Sequence, residues 1–97
     1  MMVELETIYR KAPDMVSRQV AGEAILVPIR RNVGDLESIY TLNETGARAW
    51  ALLDGQRSLA HICEQIILEY EVGAEQAQQD LLELVSQLEA IQAIHKV

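Results

Sequence analysis

The chain of 97 residues has one cysteine, two prolines, one tryptophan and no phenylalanine. A lone Cys63 excludes an intrachain disulfide framework, a CxxC zinc site and a thioredoxin-type pair. Long apolar runs are missing too. The longest, residues 24–29, falls far short of the roughly 20 residues of a membrane span. No basic stretch precedes an apolar one at residues 1–6, so no signal peptide is expected and a cytoplasmic location follows. Basic residues are scarce: eight against fifteen acidic ones give −7 and a pI near 4.7. That balance argues against a partner held mainly through phosphates, which requires a basic face. Gly46 and Gly55 are isolated and make no phosphate-cradling loop. His61 and His95 have no carboxylate or cysteine at ligand spacing, and no Ser/His/Asp set sits on a recognisable scaffold. No catalytic residue, metal or cofactor is expected, and the chain does not read as an enzyme.

What remains is one small domain spanning 1–97, whose size limits it to a single compact core. Its two parts differ. Residues 1–42 carry net −1 and read as strands and turns, whereas residues 43–97 carry net −6 and read as helices. Residues 15–20 form a first strand, with Val16, Arg18 and Val20 on one face, and Ala21-Gly22-Glu23 makes a hairpin turn. Residues 24–30 form the second strand, apolar without a break from 24 to 29, as a central strand would be. Pro28 cannot donate to a ladder, so a bulge or ladder gap is expected there. Residues 32–35 carry a second turn signal, and residues 37–42 close the meander.

Three helices follow. Asn43 caps residues 44–54, with Trp50 and Leu53 inward and Gly55 ending the helix in a left-handed conformation. Ser58 caps the second, residues 59–69, whose stripe Leu59, Ile62, Cys63, Ile66, Ile67 and Tyr70 is buried. Cys63 thus reads as a structural thiol. The third covers residues 74–91, with Ala77, Leu81, Leu84, Val85, Leu88 and Ile91 on one face. Leu82 lies roughly 100° from the centre of that face and is surplus to it.

An N-terminal three-stranded antiparallel sheet followed by a three-helix bundle is an α+β, winged-helix-like inventory. A winged helix reads DNA with a helix that carries Arg or Lys into the groove. Residues 74–91 instead hold Glu75, Asp80, Glu83 and Glu89 and no basic residue. No nucleic-acid partner and no membrane partner are expected.

Leu42-Asn43-Glu44-Thr45-Gly46-Ala47, then Trp50, then Leu53-Asp54-Gly55, resembles the core signature of the PqqD-like family, named for coenzyme PQQ synthesis protein D. Ser58 with Ile62, Glu69-Tyr70-Glu71-Val72, and Asp80 with Leu81, Leu84 and Leu88 extend the likeness. Upstream, Ser17-Arg18 and Leu26-Val27-Pro28 also fit, so it spans about residues 10–94. The resemblance implies a peptide-recognition adaptor or chaperone. Such a protein binds the leader of a ribosomally made precursor peptide and presents it to a modifying enzyme, often a radical SAM enzyme. The hairpin over residues 28–35 is longer than the Pro-Glu-Gly turn of PQQ-pathway members. The client therefore belongs either to PQQ synthesis or to another peptide-modification pathway.

Independently of the family, an edge strand can accept a peptide as a further strand. The edge is expected at Glu37, Ile39, Tyr40 and Thr41, and the facing helix flank at Gln78, Leu82, Val85 and Glu89. The alternative use of that edge is self-association, giving a homodimer or regulatory module. The missing basic helix face generates a first prediction. Duplex DNA should not be retained at physiological salt, and submicromolar binding that falls steeply with salt would refute this.

Overall fold

The computed structural model describes residues 5–29 and 39–97. Among them, three helices and two three-stranded antiparallel sheets form a mixed α+β architecture. The strands are β1 (Ile8–Lys11), β2 (Met15–Val20), β3 (Glu23–Pro28), β4 (Tyr40–Leu42), β5 (Asp54–Ser58) and β6 (Ile94–Lys96). The helices are α1 (Glu44–Leu52), α2 (Leu59–Tyr70) and α3 (Ala74–Ala90).

The expected meander is the sheet β2-β3-β4. Ala21 and Gly22 both take positive φ, 53° and 86°, the two-residue turn whose twist suits a tight hairpin. Register then runs unbroken from Val20↔Glu23 to Met15↔Pro28, so the bulge expected at Pro28 does not form. The reason is geometric. Ile29 N–H donates to Asp14 C=O at 2.8 Å, which makes Met15↔Pro28 a non-hydrogen-bonded pair. The proline's missing donor therefore lies on the side away from β2. Ala24 and Leu26 face the core, while Val16, Val20 and Val27 face solvent. Of the strand expected over 37–42, residues 37 and 38 lie outside the described residues, as does the turn expected at 32–35.

A single N-terminal sheet is corrected by the second one, β5-β1-β6. Its strands are short and polar, and β5 (DGQRS) has no apolar residue at all. Pairing across the sequence makes them, not local propensity: Ile8↔Ser58 and Arg10↔Asp54 on one side, Arg10↔His95 and Lys11↔Ile94 on the other. The β1–β5 register shifts between Ile8 and Arg10, and Gly55 sits in that irregularity with φ +81°. So Gly55 is left-handed as expected but does not end α1. The helix stops at Leu52, and Gly55 is already in a strand.

The helix starts follow their caps. Asn43 Oδ1 accepts from Gly46 N–H at 2.8 Å, and Ser58 Oγ accepts from His61 N–H at 3.2 Å. Leu59 and Ala60 donate to the carbonyls of Thr7 and Leu5 at 3.0 and 2.7 Å. The first three amides of α2, otherwise orphaned, are thus all satisfied. Trp50, Leu53, Leu59, Ile62, Leu81, Val85 and Leu88 join Tyr9, Leu26 and Ile94 in the core. Cys63 is buried, and burial pushes its thiol up, with Glu64 adding to the effect. Arg48 clasps Glu69 through two bonds of 2.8 and 2.9 Å, tying α1 to α2 at the surface. An exposed pair of this kind contributes little to stability.

Tyr9 is fully buried and donates its hydroxyl to Glu89 Oε1 at 3.3 Å. Burial first, then the neighbouring Glu89 carboxylate, pushes its pKa up to about 12. An acid whose folded pKa exceeds its unfolded value, about 10, stabilises the fold fully below pH 10. That contribution drains away as pH rises to 12. Wild-type stability should therefore drop by roughly 2–3 kcal/mol across this window on account of Tyr9. Tyr9→Phe, which cannot ionise, should lose that part of the slope when urea midpoints are compared at pH 9 and pH 12.

Candidate functional site: an edge strand beside a cleft on α3

β3 pairs with β4 through Ala24↔Leu42, Ile25↔Thr41 and Leu26↔Tyr40. Alternation along the ladder decides which groups remain for a further partner. Counting from the Met15↔Pro28 pair, Ile25 exchanges its bonds with Arg18, so Ala24 and Leu26 turn theirs toward β4. Tyr40 and Leu42 answer those, and the N–H and C=O of Thr41 point away from β3. β4 is an edge strand of its sheet, and Thr41 presents the edge groups.

A cleft of about 360 Å³ opens beside this edge. Tyr40, Thr41 and Leu42 line it from β4, and Asn43, Thr45, Gly46 and Ala49 from the start of α1. Ile66 and Val72 contribute from the end of α2, and Ala77, Asp80, Leu81, Glu83, Leu84 and Gln87 from α3. Its inner surface is aliphatic, with Ile66, Ala77 and Leu81 buried and Val72 and Leu84 half-buried. Along the α3 rim, Asp80, Glu83 and Gln87 are exposed. Among the described residues no group of His, Cys, Asp and Glu is arranged to hold a metal ion.

Of the residues expected from sequence, Tyr40 and Thr41 line the cleft. Glu37 lies outside the described residues. Ile39, the residue just before β4, is 59% exposed. On α3 the cleft takes the other flank of the helix. At about 100° per residue, Gln78, Val85, Glu89 and Leu82 lie on one side of the buried stripe, and Leu84, Asp80, Gln87 and Glu83 on the other. Gln78 is exposed away from the cleft, Val85 is fully buried, and Leu82 packs half-buried against the core. Glu89 accepts the Tyr9 hydroxyl. The physical reason is the second sheet. It meets the flank marked by Glu89 through Tyr9, and Leu82 is half-buried against the core instead of lying in a groove. The α3 wall residues Ala77, Asp80, Leu81, Glu83, Leu84 and Gln87 were not among those expected, and Leu84, read as core from periodicity, is half-buried at the stripe's margin. Its place at the stripe's margin is the available signal.

Comparison with known proteins places this geometry. The family model for coenzyme PQQ synthesis protein D (PqqD) matches residues 23–94. The chain belongs to the PqqD family. No curated protein is matched by the sequence. Two solved structures share the fold. TbiB1 in complex with the TbiA(beta) leader peptide is 21% identical with a TM-score of 0.74, covering 89% of this chain and 94% of its own. Lasso peptide synthetase B1 complexed with the leader peptide is 24% identical with a TM-score of 0.72, covering 90% and 96%. The family match begins at β3, so β1 and β2 lie outside it, although the structural neighbours cover most of the chain.

Asn43 joins β4 to α1, caps the helix and is among the residues that line the cleft. Asn43→Ala should cost about 1 kcal/mol in a denaturant titration. The amides of Gly46 and its neighbours should then exchange faster than in the wild type.

Proposed function

We propose that this PqqD-family chain is a peptide-binding adaptor. It takes up the leader segment of a ribosomally made precursor and presents it to a modifying enzyme. The single observation carrying this is the edge strand β4 set against an aliphatic cleft, with Thr41 backbone groups turned to the open side. The two structural neighbours, both described with leader peptides, support the same use of the fold. An extended peptide would pair its backbone with Thr41 and, beyond it, with Ile39. Its inward side chains would meet Tyr40, Leu81 and Leu84. Main-chain pairing gives affinity that tolerates sequence change, and the cleft chooses the client. Of the helix residues expected from sequence, Gln78 and Leu82 border the stripe without lining the cleft. Val85 and Glu89 would act only by holding α3 in place.

In this reading the chain contributes binding, and chemistry belongs to its partner, with a radical SAM enzyme as the class to test. The meander with α1–α3 serves as a winged-helix-like platform. The pathway is PQQ synthesis or another peptide modification, and the site is cytoplasmic, where ribosomal precursors are made. Among the described residues no helix is long and apolar enough to cross a membrane.

Titrating the isotope-labelled chain with the leader of a precursor encoded beside its gene should shift the amides of residues 39–43 and 77–87. Shifts confined to residues 58–69 would place the client elsewhere and defeat the reading. If dilution alone moves the β4 amides, the edge pairs with a second copy and self-association is its use.

A further inference from the structure

The α3 wall of the cleft consists of two parallel rows. Ala77, Leu81 and Leu84 form the inner one, buried or half-buried, and Asp80, Glu83 and Gln87 form the exposed rim. The rim has two carboxylates, and no Lys, Arg or His lines the cleft among the described residues. α3 itself has no basic residue along its length. Asp80 and Glu83 are three residues apart, about 4.5 Å along the axis, close enough to share one cation. Asp80 Oδ1 accepts from Gln76 Nε2 at 2.8 Å, which steadies the carboxylate on the rim.

An extended chain lying along β4 turns successive side chains to opposite faces. A residue directed at Val72, Leu81 and Leu84 is therefore preceded and followed by residues directed outward, at the level of the rim. A lysine or arginine in that place can lay its aliphatic stem along the wall and bring its charge to the two carboxylates. A glutamate there would meet two like charges beside a low-dielectric surface. Resting on the peptide-binding reading above, we infer that the cleft selects extended peptides in which an aliphatic residue stands immediately next to a lysine or arginine. Asp80 and Glu83 are the specificity-determining pair.

The test is a random short-peptide library panned against the immobilised full chain, followed by anisotropy measurements on resynthesised binders. Binders should carry an aliphatic residue with a basic neighbour. Replacing that neighbour by glutamate should weaken binding about tenfold at low salt, and by less at high salt. The Asp80→Lys/Glu83→Lys variant should prefer an acidic neighbour, and the milder Asp80→Asn/Glu83→Gln variant should lose charge preference. Both positions are exposed, so amide spectra of the variants should match the wild type outside α3. Binders rich in aliphatics but indifferent to the neighbour's charge, in wild type and variants alike, would overturn this inference and leave strand addition standing. A library that yields no binder to the wild type would overturn the adaptor reading and the inference with it.

Discussion

The fold depends on where β1 runs. This four-residue strand lies between β5 and β6, joining the segment after α1 to the chain's last strand. Its approach supplies the carbonyls of Leu5 and Thr7 to the first amides of α2. Its far end supplies Lys11, whose Nζ donates to the carbonyl of Leu53 at 3.0 Å and that of Ala51 at 3.4 Å. α1 has no basic residue in its own last turn, so Lys11 is the cation at the negative end of that helix. Between these, Tyr9 enters the core and reaches Glu89 on α3. One strand therefore fixes one end of each of two helices and one flank of the third.

Trp50 shows how tightly that arrangement is drawn. The indole is 3% exposed, and its Nε1 has no hydrogen-bond partner among the described residues. A buried donor left unmade costs on the order of 1–3 kcal/mol. Burying the large ring offsets this, and Lys11 Nζ stands 5.4 Å from the ring centroid, adding a cation–π contact. Partial burial lowers the Lys11 pKa, with nearby Asp54 pulling it back. Lys11 thus belongs to the structure through both carbonyls and ring.

The two sheets also divide the work on α3. The β5-β1-β6 sheet meets the flank carrying Glu89 through Tyr9. The β2-β3-β4 sheet reaches the opposite flank only through its short last strand, which leaves an aliphatic cleft open beside a backbone edge. The second sheet and the cleft thereby lie on opposite sides of one helix. Core residues Leu81 and Leu88 separate them.

The sequence by itself determined whatever depends on neighbours along the chain. Asn43 and Ser58 cap the helices they precede, and apolar spacing at 59–70 and 77–88 marks the buried stripes. The Ala21-Gly22 turn sets the register of β2 on β3. Each is a short-range preference, set by a few dihedrals and one or two hydrogen bonds. The family signature from Leu42 to Gly55 was legible for the same reason, being contiguous. Only the tertiary structure decided the rest. The β5 segment DGQRS has no strand propensity and is a strand because β1 pairs with it. Gly55 is read locally as a helix stop, yet its positive φ serves a strand irregularity. Which flank of α3 stays open was beyond helical periodicity. A stripe of Ala77, Leu81, Val85 and Leu88 has two margins of similar character, and only the docking of residues 8–11 and 94–96, distant in sequence, covers one and leaves a cleft beside the other.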